Sequence, residues 1–173
     1  PKPSSAASDV YKRQPWTRDG RVRANVVQLA PDVSGLVTAV HVGDNQHVKA
    51  GDLLFEVDRA RYLLAVRQAQ SALDAQRTVL NQAQRENSRN SGLSALVSRE
   101  VQEQTRSRVE QARAAVAQAQ VALDMAELNL ARAQVKAPSD GIVTNLDLRQ
   151  GAYATAGHAL SLIHISEPTR QEA

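Results

Sequence analysis

The residues able to do chemistry are few and scattered. Four histidines, His41, His47, His158 and His164, fall singly. A zinc or iron site needs two or three ligands at a short fixed spacing, which they do not offer. His41 and His47 sit beside alternating apolar residues and read as outward, solvated side chains of short strands. The absence of cysteine removes thiolate metal sites, a Cys nucleophile and disulfides together. Asp44 and Asp52 lie next to turn residues, where acids are common. No phosphate-cradling loop, dinucleotide fingerprint or nucleophile elbow occurs. Catalytic, cofactor-binding and metal residues are therefore all expected to be none, and the chain does not read as an enzyme.

The elements around these residues are unusual for a globular core. Only five of 173 residues are aromatic (Tyr11, Trp16, Phe55, Tyr62 and Tyr153), too few to fill a bulky α/β enzyme core. Apolar content is 42%, but much of it is Ala gathered in two long stretches, which suits thin layers and close helix pairs. Lys+Arg number 21 and Asp+Glu 18, a net charge of +3, with the two signs interleaved along the chain. Without a block of basic residues there is no footprint for a nucleic acid partner. No run approaches the ~20 apolar residues of a membrane span, and residues 1–14 lack the apolar centre of a signal peptide.

The two ends differ from what lies between them. Residues 1–14 (PKPSSAASDVYKRQ) are small, polar and aperiodic, and residues 162–173 start like a strand and then become polar. Both resemble translated sequencing-adapter read-through. They are expected to be non-native tails around an internal fragment and are set aside from the fold.

The most informative feature is an internal repeat. Residues 30–58 read APDVSGLVTAVHVGDNQHVKAGDLLFEVD, and residues 137–163 read APSDGIVTNLDLRQGAYATAGHALSLI. Counted from Gly35 and Gly141, each has two β-formers at +1 and +2, Thr at +3, apolar residues at +5 and +7, and Gly at +16 (Gly51 and Gly157). Alternation such as Val40-His41-Val42 makes short half-buried strands. Gly35, Gly51, Gly141 and Gly157 are expected at turns that want a positive φ. A couple of strands is marginal in water, so the two halves are expected to pack together as one small, flattened β-sandwich.

Between the halves run two helical stretches. In the first, residues 59–90, Tyr62, Val66, Ala69, Leu73, Gln76, Leu80 and Ala83 form a heptad seam with one polar break. In the second, residues 98–134, Val109, Ala112, Val116, Ala119, Leu123, Ala126, Leu130 and Ala133 keep the spacing without a fault. A strict seven-residue repeat predicts a left-handed coiled coil, and the alternating Ala lets the backbones approach closely. Ser91-Gly92 breaks the helix, and Ser98 reads as the N-cap of the next. The simplest geometry is an antiparallel hairpin of arms roughly 50 Å long, with outer faces of Gln, Arg, Glu and Asn.

A hairpin bracketed by two half-motifs of this kind resembles the HlyD/EmrA-type membrane fusion proteins, the adaptor subunits of efflux pumps. Residues 15–20 (PWTRDG), Ala30-Pro31-Asp32-Val33-Ser34-Gly35 and Asp44-Asn45-Gln46 carry the likeness, with Ala137-Pro138, Asp140-Gly141 and Val143-Thr144-Asn145-Leu146 in the second half. Within that family the nearest likeness is to the p-hydroxybenzoic acid (AaeA-like) efflux adaptors. The resemblance implies an α+β fold: a split lipoyl/biotinyl-like β-sandwich interrupted by a long antiparallel α-helical coiled-coil hairpin. The expected divisions are a leading segment and first lipoyl-like half at 15–58, the hairpin at 59–136 and the second half at 137–161.

The resemblance also implies a function. The chain would be a periplasmic adaptor joining an inner-membrane transporter to a TolC-type outer-membrane channel, for efflux of small molecules such as aromatic carboxylic acids. Copies would self-associate around the pump axis. An N-terminal helix before residue 15 would anchor the chain to the periplasmic side of the inner membrane, and a β-barrel would largely follow residue 160. The family's hairpin tip meets the channel through an Arg, a Leu four residues on and a later Ser, here Arg89, Leu93 and Ser98. Ser98 has a second reading as a plain N-cap, and Arg89 as a helix-end cation favoured by the macrodipole. Two other functions compete. A biotinyl or lipoyl carrier would need an acylatable Lys after the first half, where the chain has Arg61, and guanidinium is not a nucleophile. A free-standing coiled-coil and lipoyl-like scaffold would bind along the hairpin's length instead of at its tip.

Overall fold

The computed structural model describes residues 25–165. The tail at 1–14, the leading segment around Trp16 and residues 166–173 lie outside the described residues. Ten elements follow in order: β1 (Val26–Leu29), β2 (Gly35–Val40), β3 (His47–Val48), β4 (Leu53–Val57), α1 (Arg59–Gly92), α2 (Arg99–Arg132), β5 (Gln134–Lys136), β6 (Gly141–Thr144), β7 (Tyr153–Ala154) and β8 (Ser161–Ile165). The fold is α+β, a β-sandwich carrying a two-helix hairpin.

The repeat becomes an interlocked pair of sheets. One runs β1-β8-β6-β3 and the other β5-β4-β2-β7, so each takes strands from both halves. The correspondence holds residue by residue. Val37 pairs with Val57 as Val143 pairs with Ile163, two and twenty-two residues from the respective glycines. Asn45 donates to the Val143 carbonyl at 2.7 Å, and its counterpart Gly151 donates to the Val37 carbonyl at 2.8 Å. Gly51 and Gly157 likewise reach across to the carbonyls of Ala137 and Pro31. A pseudo-two-fold axis therefore relates the halves, and each satisfies backbone groups of the other. Phe55, Val57, Val143 and Ile163 meet in the core between the sheets, each with no exposure.

Three expectations change here. The second half does not stop at residue 161. Strand β8 runs on to Ile165 and lies inside its sheet, paired with β1 on one side and β6 on the other. Its residues fit because Ile163 fills the core place that Val57 fills in the first half. The helical division also ends early, since residues 134–136 form β5 against β4 and not a last helical turn. Finally, only two of the four marked glycines have a positive φ, Gly51 (89°) and Gly157 (77°). Gly35 and Gly141 begin strands. A Cβ on Gly141 would meet the His164 carbonyl oxygen, and one on Gly35 would lie 3.0 Å from Asp58 Cβ and Val57 Cγ1. These two are glycine for close approach.

Candidate functional site

The hairpin is mounted on the sandwich without a linker. One residue, Asp58, separates β4 from α1, with φ 38° and ψ 46°. One residue, Ala133, separates α2 from β5, and it is fully buried. The Val57 amide donates to the Ala133 carbonyl at 2.8 Å, which ties the two arms at their base. The Tyr62 hydroxyl donates to the Ser34 carbonyl at 2.6 Å, and Arg132 approaches Asp32 at 3.8 Å, so both arms are also held to the β1–β2 loop.

Along the arms every seam residue read from the heptads is buried or half-buried, with Leu73, Ala83, Val109, Ala112, Leu123 and Ala133 most enclosed. Contacts of Glu86 with Arg108 (3.7 Å) and of Asn87 with Thr105 (3.3 Å) set the helices antiparallel. Each helix has 34 residues, a length of roughly 50 Å at 1.5 Å per residue.

The tip spans the end of α1 and the start of α2. Leu93 caps α1, its amide donating to the Arg89 carbonyl at 3.2 Å. The Leu93 carbonyl in turn accepts from Leu96 (2.8 Å) and Val97 (3.2 Å), closing a tight turn. Leu93 is 51% exposed and Leu96 84%, the highest exposure of any large apolar side chain among the described residues. Arg89 lies in the last turn of α1 and is exposed. Ser98 has extended backbone, and its Oγ accepts from the Val101 amide at 3.3 Å. Arg89, Leu93 and Ser98 thus fall at one end of the hairpin, with the Ser98 hydroxyl engaged as the N-cap. The Arg-Leu-Ser spacing does not mark Leu96, whose signal in the sequence is that of a further apolar residue in the turn between Leu93 and Ser98.

Among the described residues no group of three His, Cys, Asp or Glu could hold a metal. His41, His47 and His158 are exposed and apart. At the base of α1, where a carrier would need its lysine, the Arg61 guanidinium lies 5.9 Å from the Tyr62 ring centroid. Among the described residues no helix is long and apolar enough to cross a membrane.

A β-sandwich of two interlocked halves, opened by a linker-free helical hairpin with an apolar tip, defines a barrel-sandwich hybrid. A family model described as "RND MFP, barrel-sandwich hybrid domain" matches residues 25–166, and the chain belongs to this family of membrane fusion proteins. Solved structures agree. A MacA–MexA chimeric protein containing the Pseudomonas aeruginosa MexA α-hairpin domain is 28% identical with a TM-score of 0.61, over 82% of this chain and 48% of that one. ZneB from Cupriavidus metallidurans is 24% identical with a TM-score of 0.63, over 82% of this chain and 62% of that one. The periplasmic adaptor protein EmrA shares the fold at 16% identity and a TM-score of 0.54, over 82% of this chain and 72% of that one. The chain thus spans about half to three-fifths of the first two.

Proposed function

We propose that the chain is the hairpin-bearing part of a periplasmic adaptor that couples an inner-membrane transporter to a TolC-type outer-membrane channel. The observation that carries this reading is the pair of exposed leucines, Leu93 and Leu96, at the end of a hairpin roughly 50 Å long. Exposed apolar side chains clustered at a rigid tip favour a partner there. Arg89, Leu93 and Ser98 are the tip contacts in this proposal, with Leu96 added and Ser98 acting through the cap. The protein works on the periplasmic side of the inner membrane, held by an N-terminal anchor, and performs no chemistry of its own. The cargo is a small molecule, with aromatic carboxylic acids suggested by the AaeA-like segments around Pro15–Gly20 and Asp44–Gln46.

Self-association around the pump axis has its own support. Val121, Met125 and Leu128 form an exposed stripe on the outer face of α2, 64%, 56% and 44% exposed. Between Arg113 and Arg132 that helix carries only acids, Asp124 and Glu127, whereas α1 carries six Arg and two acids. The outer face of α1 in one copy therefore complements α2 in the next, and such a head-to-tail contact can close a ring.

The test is the double variant Leu93→Asp with Leu96→Asp. Channel co-purification and efflux should be lost while circular dichroism and self-association stay unchanged. If channel pairing survives, the partner binds along the hairpin and the scaffold reading replaces this one.

A further inference from the structure

Beneath the tip the seam changes character. Toward the sandwich it is mostly apolar, but its last residues before the turn are Asn87 and Asn90 on α1 and Gln102 and Thr105 on α2. Thr105 is 4% exposed, and its hydroxyl lies 3.3 Å from Asn87 Oδ1 and 3.0 Å from the Gln102 carbonyl. Gln102 reaches back over the turn, where its Nε2 donates to the carbonyl oxygens of Ser94 and Val97, each at 3.3 Å. A primary amide has two N–H donors, and here each has its own acceptor in the loop.

We infer that Gln102 is a positioning residue for the tip: its amide clamps the turn so that Leu93 and Leu96 are presented together. A loose loop with two leucines would fold them down onto any apolar surface within reach. The seam end beneath is polar at Asn87, Asn90, Gln102 and Thr105, Val97 and Val101 are the apolar neighbours, and the clamp holds the turn off them. The remaining backbone ties within the turn both converge on the Leu93 carbonyl, so Gln102 supplies the hold on its far side. The consequence for a channel rests on the adaptor reading, whereas the clamp itself does not.

Two variants separate donor chemistry from bulk. Gln102→Glu keeps the shape but sets a carboxylate without donors against two carbonyls. Gln102→Lys keeps a donor on a stem of similar reach. Hydrogen exchange on the full protein should show Leu96 and Val97 amide protection falling about tenfold in Gln102→Glu, with protection at residues 107–125 unchanged. Gln102→Lys should stay within about threefold of the parent. In cells, cross-linking of the channel through Leu96→Cys should fall in Gln102→Glu and persist in Gln102→Lys. Unchanged tip protection in Gln102→Glu would overturn the inference. So would a loss spread evenly along the hairpin, or a loosened tip that still cross-links as well as the parent. If instead Leu93→Asp with Leu96→Asp leaves channel pairing intact, the adaptor reading fails while the exchange result still decides the clamp.

Discussion

A side chain at Gly141 would meet backbone on the neighbouring strand, the His164 carbonyl, which has little room to yield. Gly157 has open space around it and a φ of 77°. The two should respond differently to a methyl group. Gly141→Ala should cost ~1–3 kcal/mol as overpacking, and Gly157→Ala about 1 kcal/mol as left-handed strain. Urea melts of the two variants check the order; a larger loss at Gly157 would contradict the close-approach account of Gly141. The repeat spacing marked both glycines but could not assign their reasons, because the approach of β8 to β6 is a tertiary fact. Gln102 was hidden for a related cause. In sequence it is one more Gln among the many on the arms, and its role exists only where the turn folds back over it.

The helical elements were the most legible. A heptad of alternating large residues and Ala dictates its own buried face, and the arms bury it as the spacing predicts. Ala119 faces the other arm near the level of Leu73, so Ala119→Leu should cost ~1–3 kcal/mol in a thermal melt. A neutral result would mean the arms are not closely packed there. The mount makes a second, smaller prediction. Tyr62→Phe removes the hydroxyl bond to Ser34 and should cost about 1 kcal/mol. Short strands were harder to read. Gln134-Val135-Lys136 continues the polar and apolar mixture of α2, and only its pairing with β4 makes it a strand. In strand β8 the sequence from residue 162 on resembles a foreign tail, yet Ser161, Ile163 and their neighbours alternate as a β-strand needs and complete the sheet.

At the scale of the whole molecule, two halves exchange strands and a hairpin stands on them through single-residue junctions. A displacement at the tip is therefore tied to the sandwich through Asp58, Ala133, Tyr62 and Arg132. The outer stripe of α2 offers a test of the proposed self-association. Met125→Asp should lower the oligomer mass in sedimentation and leave the melting of the hairpin within about 0.5 kcal/mol. Unchanged mass would remove that stripe from the contact.

The most direct measurement uses the absence of cysteine from these 173 residues, any cysteine elsewhere in the full protein being first replaced by serine. Single cysteines placed along the hairpin of the full protein, at Ser71, Arg89, Leu93 and Leu96, can be cross-linked in cells to an outer-membrane channel. Docking at the tip predicts adducts from Leu93→Cys and Leu96→Cys, fewer from Arg89→Cys and none from Ser71→Cys. Adducts from Ser71→Cys with none from the two tip positions would contradict it.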